Sequence, residues 1–196
     1  GCPDTNAFRF HQPLVDCNVT IRGLDVAEAS KYVARFSPLT SCHISITESR
    51  LSSQSTALYF EQLTGAEVLL QNTAVSTLTG TALYHASAGD DVTDSAFAAT
   101  NVTIHAHKSV AFQRVARSEL SFAACYIASD STGFTFNKGV DDSSVSIVGS
   151  TITTVTGTAL FTGGVITNSS IALADSALYS RYSVWLAQPV VSTAVA

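Results

Sequence analysis

Apolar residues recur along this chain in pairs at alternate positions: Val19/Ile21, Ile44/Ile46, Val68/Leu70, Phe97/Ala99, Leu120/Phe122, Val145/Ile147 and Ile171/Leu173. Alternation of this kind predicts a short strand with one buried face. Five residues after each pair stands another apolar residue: Val26, Leu51, Val75, Ile104, Ile127, Ile152 and Leu178. A third apolar motif begins 11 or 12 residues after the pair. It reads Ala57-Leu-Tyr-Phe, Ala82-Leu-Tyr-His, Val110-Ala-Phe-Gln, Gly133-Phe-Thr-Phe, Ala159-Leu-Phe-Thr and Val184-Trp-Leu-Ala, with weaker copies at Ala7 and Val33. These patterns hold one phase through seven repeats of about 25 residues.

Ser, Thr, Gly and Asn separate the apolar positions, and no 3.6-residue helical period is present. The prediction is an all-β chain: a single-stranded, right-handed parallel β-helix (β-solenoid) of about seven coils, with three short strands per coil. A β-propeller would need about 40 residues per blade, and a leucine-rich repeat would show helical segments. No coil can bury its apolar face alone, so stacked neighbours must supply the core. The chain reads as one β-helix segment over residues 1–196. Residues 1–16 make a partial first coil, 17–187 the full coils and 188–196 the start of another, as expected of a slice from a longer protein.

Composition narrows the partners. Charged residues make up 13% of the chain and hydrophobic residues 46%, against about 25% charge in ordinary domains. The net charge is −5 and no basic run occurs, which argues against a nucleic-acid partner. Apolar runs fall well short of the roughly 18 residues of a membrane span. The four cysteines, Cys2, Cys17, Cys42 and Cys125, contain no CxxC, so no zinc site is assigned. Asn18, Asn101 and Asn168 open N-glycosylation sequons, which favour an extracellular or cell-surface location.

Stacking turns equivalent positions into columns. Cys17 and Cys42 fall at the same position of consecutive coils, within disulfide range; a bridge and a pair of stacked thiols are equally compatible with the spacing. The column after the apolar core position reads Arg9, Arg35, Tyr59, Tyr84, Phe112, Thr135, Phe161 and Leu186. Its arginines imply that it faces outward, making Tyr59, Tyr84, Phe112 and Phe161 a candidate binding stripe for a protein or glycan. A column of Thr56, Thr81, Ser109, Thr132, Thr158 and Ser183 is expected to form an inward hydroxyl ladder. Asp94, Arg117 and Asp142 on successive coils predict a surface ion-pair stack.

Acids are the natural place to look for catalysis, because carbohydrate-cleaving enzymes pair carboxylates on one face. Asp91, Asp94 and Asp142, with Asp90 and Asp141 beside them, are the weak catalytic candidates. The loop Ala88–Asp94 is the one evident insertion. The Gly-His-Gly and Arg-x-Lys signatures of pectin-degrading hydrolases are missing, so no catalytic residue and no cofactor is assigned. His105 and His107 put two imidazoles on one strand face without a third ligand, so no metal is assigned.

The stretches ALYF (57–60), NTAVSTLTGTALY (72–84), NVTIHAH (101–107) and GSTITTVTGTALF (149–161) resemble the repeats of trypanosome dispersed gene family surface proteins. The resemblance covers most of residues 17–187. It implies a large secreted or membrane-anchored protein with a pectin-lyase-like β-helix and an adhesive role. The functional expectation is a non-enzymatic extracellular stalk or adhesive module. The alternatives are a polysaccharide lyase or hydrolase, and a filament subunit that self-associates through its coil ends.

Overall fold

The computed structural model describes residues 7–85, 91–191 and 194–195. They form an all-β parallel solenoid of about seven turns, with 27 strands and no helix among the described residues. One coil serves for all. It runs through strands His43–Thr47, Arg50–Ser53, Thr56–Phe60 and Leu63–Thr64 before rising to Glu67–Gln71 in the next. Every strand pairing is parallel, coil to coil. The first strands form an eight-stranded sheet, and the others join in a 19-stranded sheet around the remaining flanks.

The registers follow the apolar columns. Val19, Ile44, Val68, Phe97, Leu120, Val145 and Ile171 stand in one line, and from Ile44 onward each is at most 2% exposed. Beyond the three expected strands, most coils carry a fourth of two or three residues, while in two coils the second, third and fourth run on as the single strands Thr103–Ala116 and Tyr126–Asp141. The fourth-strand column of Leu39, Leu63, Val92, Val115, Val140 and Ile166 is also buried. Inside the third flank, Phe rings lie one above another: Phe10, Phe36 and Phe60 stack at 5.1 Å, and Phe112 and Phe136 at 5.8 Å.

Two corners of every coil use the left-handed backbone region. One corner holds Asp16, Ser41, Gly65, Asp94, Arg117, Asp142 and Asn168, and the other Gly23, Glu48, Asn72, Asn101, Ala124, Gly149 and Asp175, with φ between 45° and 63°. Asp, Asn and Gly predominate there because they tolerate that region best. From the second coil to the sixth, the residue after each corner is buried and mostly small, as at Cys42, Ser49, Ala66, Thr73, Ser118 and Cys125. At the first corner the backbone N–H groups of Ala66, Ser95, Ser118 and Ser143 donate to the hydroxyls of Ser95, Ser118, Ser143 and Ser169 on the next coil. Those hydroxyls donate to the carbonyl two residues earlier. The hydrogen-bonded serine ladder therefore runs along this corner. In the third strand, where a hydroxyl ladder was expected, Thr56, Thr81 and Thr158 are buried and Thr132 half-buried, but Lys108 takes the place in register assigned to Ser109.

The pair TGTALY (79–84) and TGTALF (156–161) has a steric origin. Thr79 and Thr156 each donate backbone N–H and side-chain O–H to the carbonyl of Gln54 and Asp130, respectively, on the preceding coil. The glycine that follows passes so close that a Cβ on Gly80 or Gly157 would lie 1.9 Å from the carbonyl oxygen of Ser55 or Ser131.

Candidate functional site

The outward column of the third strands runs Arg9, Arg35, Tyr59, Tyr84, Ala111, Thr135, Phe161 and Trp185. Tyr59, Tyr84 and Phe161 are half-buried on this surface, as the sequence predicts. Phe112 is not part of it. It is 3% exposed and points into the core, stacked on Phe136 and edge-on to Phe97. The fourth coil carries a register irregularity between Ala106 and Lys108, so Ala111 takes the outward place and Phe112 joins the column of Phe60 and Phe136. The last assigned member, Leu186, is likewise displaced by one, and Trp185 faces out instead, 51% exposed. Phe36, Phe60 and Phe136, which close YVARF, ALYF and GFTF, are all buried, and a pairing of Phe112 with those closing rings was the signal that could have placed it inward.

Two aromatic clusters result. In the first, Tyr32 and Tyr59 lie 5.2 Å apart and Tyr59 and Tyr84 5.7 Å. The Arg35 guanidinium sits 5.1 Å from the Tyr59 ring centre and 5.8 Å from that of Tyr32, a favourable cation–π geometry. Arg35 also donates through Nε and Nη2 to Glu61. That bond raises the pKa of the guanidinium, and burial raises that of the Tyr59 phenol. In the second cluster, Trp185 meets Phe161 at 6.0 Å and Tyr182 at 5.7 Å. Ala111 and Thr135 separate the clusters. Three coil rises, roughly 14 Å at about 4.8 Å each, lie between Tyr84 and Phe161.

The carboxylates sit on a different corner. Asp94 accepts from both Nε and Nη2 of Arg117, at 2.8 and 2.9 Å, which realises the Asp94–Arg117 half of the predicted stack. The guanidinium holds the Asp94 carboxyl below its ordinary range. Asp142 occupies the equivalent corner one coil on from Arg117. Arg114 bridges Asp141 at 2.9 Å and Asp91 at 3.7 Å. Asp90 lies outside the described residues. An open polar groove of about 840 Å³ follows this corner, lined by Glu67, Asp94, Arg117, Glu119, Asp142 and Asn168.

The imidazoles part company: His105 packs on Tyr126 at 5.6 Å, while His107 turns to Asp130 at 3.6 Å. Among the described residues no group of three or more His, Cys, Asp or Glu could hold a metal ion. No helix among them is long and apolar enough to cross a membrane. Asn18, Asn101 and Asn168 are all exposed, with Asn101 and Asn168 at left-handed corners. Cys17 and Cys42 meet across consecutive coils, their Sγ atoms 2.7 Å apart. No family model, no curated protein and no solved structure matches the chain.

Proposed function

We propose that this protein is a non-enzymatic β-solenoid module acting outside the cell, as part of a stalk or adhesive surface, and that the outward aromatic column binds a glycan. The observation that carries this reading is the pair of aromatic clusters on the outward column, whose other members are Arg9, Arg35, Ala111 and Thr135. Half-exposed rings beside a fixed Arg35–Glu61 pair combine stacking faces with polar groups for hydroxyls. A protein partner would more often need a wider desolvated apolar centre. The tilted ring pairs, at 57° and 61°, suit a flexible chain better than a flat crystalline surface. Three exposed sequons and the low charge support the extracellular setting.

Asp94 is poorly suited to the acid role that the hydrolase alternative would give it. A glycosidase acid needs a carboxyl whose pKa is raised, and Asp94 is shifted the other way. The test is a glycan array probed with the wild-type chain and with Tyr59→Ser/Tyr84→Ser and Trp185→Ser. The variants should lose at least tenfold in binding while keeping the wild-type β circular dichroism. Unchanged binding by the variants, or ligands found only among proteins, would overturn the reading.

A further inference from the structure

The first-corner column reads Cys17, Cys42, Ala66, Ser95, Ser118, Ser143 and Ser169. From Ser95 onward the hydroxyls knit coil to coil, each accepting a backbone N–H and donating to a carbonyl. Thiols are weak donors and acceptors, and apart from the Cys17 sulfur the Cys42 thiol meets the Thr40 carbonyl at a long 3.4 Å. Two adjacent thiols therefore forgo most of what serine supplies at this corner. What they can supply instead is a covalent bond. Cys17 and Cys42 sit one coil apart, directly before the paired residues Asn18 and His43, and the His43 N–H donates to the Cys17 carbonyl at 2.7 Å. A coil rise of about 4.8 Å falls within the Cα separation that a disulfide spans. Cys125, by contrast, stands in the other corner column between Val102 and Ser150, without a neighbouring thiol there.

We infer that Cys17 and Cys42 form a disulfide that staples the first full coil to the second. The first coil is where such a bond matters. Val19, Ile21 and Val26 are only half-buried, while their partners Ile44, Ile46 and Leu51 are at most 1% exposed. With less apolar surface withdrawn from water, this coil opens more easily than those after it.

The chemistry is thiol–disulfide exchange with a small-molecule disulfide as oxidant. Cys17, the more exposed of the two, attacks the oxidant as thiolate, forms a mixed disulfide and expels one thiolate. Cys42 then attacks the Cys17 sulfur and expels the second. Two thiols lose two electrons and two protons, and one oxidant disulfide becomes two thiols. Burial, Cys42 and Asp16 push the Cys17 thiol up to about 11, so the first step is slow at neutral pH. His43 and Glu67 line the same hollow.

Cys2, outside the described residues, is replaced by serine in all samples. The reduced chain is equilibrated with oxidised glutathione at pH 8.5 and mapped by non-reducing peptide mass spectrometry. The expected product is a Cys17–Cys42 cross-linked peptide with Cys125 still alkylatable. Amide exchange across Asn18–Arg22 should slow at least tenfold relative to the reduced chain. The variant Cys17→Ser/Cys42→Ser extends the serine column, folds, and shows no response to oxidant. The inference is overturned if both thiols stay alkylatable at equilibrium, if the end product is a glutathione adduct or a bond to Cys125, or if the bond forms without slowing exchange in the first coil.

Discussion

Gly157→Ala tests whether coil spacing is set by backbone close approach. The added Cβ would stand 1.9 Å from the Ser131 carbonyl oxygen and 2.7 Å from its carbon. Side-chain carbons essentially never come within 3.0 Å of a heavy atom, so the two coils must separate there by about 1.1 Å, the difference between 3.0 and 1.9. The bonds at risk are those from Thr156 N and Oγ1 to the Asp130 carbonyl, at 3.0 and 2.8 Å. Losing much of both costs about 1 kcal/mol each, and overpacking adds about 1–3 kcal/mol. The expected destabilisation is therefore about 3–5 kcal/mol. Gly149→Ala is the control. Its Cβ would meet nothing within 4 Å, and its φ of +56° is the conformation that Ala124 already adopts at the same corner one coil earlier. Its cost should be about 1 kcal/mol, from the left-handed backbone alone. Urea denaturation of both variants, followed by circular dichroism, gives the comparison. If the two costs agree within about 0.5 kcal/mol, the close-approach argument fails.

Two other predictions come from buried hydroxyls and paired charges. Thr162 is fully buried in the Phe112/Phe136 column, and its hydroxyl has no hydrogen-bond partner. Thr162→Val keeps the shape and removes the stranded group, so it should raise stability by about 1 kcal/mol in the same assay; a loss would show the hydroxyl is satisfied in solution. Asp94 should titrate below its ordinary 3.8 by carboxyl NMR, because Arg117 stabilises the charged form, and Arg117→Ala should return it to the ordinary range. Since the folded pKa is lowered, the contribution to stability is present above the unfolded pKa and is lost as pH falls through the folded one.

The solenoid was legible because each coil repeats the same local chemistry. Pairs such as Ile44/Ile46 alternate, an apolar residue such as Leu51 follows at fixed spacing, and Asp, Asn, Gly or Ser punctuates the corners. The fourth strand was missed because two or three residues, as in Leu63–Thr64, carry too little alternation to register as a strand. The Asp94–Arg117 pair was readable because opposite charges fell in one column. The bidentate geometry and the bridging of Asp91 and Asp141 by Arg114 were not, since long side chains reach across columns.

The chain's own letters were enough to establish the period, the parallel stacking and the inward apolar pairs, because those depend on a pattern repeated seven times. What only the tertiary structure decided was register within single coils. Side chains alternate with a period of two, so a one-residue displacement exchanges inside for outside. In the fourth coil that displacement sends Phe112 into the core and gives its place in the outward column to Ala111, a side chain too small to reach the surface and itself buried. In the seventh it brings Trp185 out beside Phe161. The neighbouring coils select between these registers through the rings and hydrogen bonds they present, and the aromatic surface owes its two-cluster form to that selection.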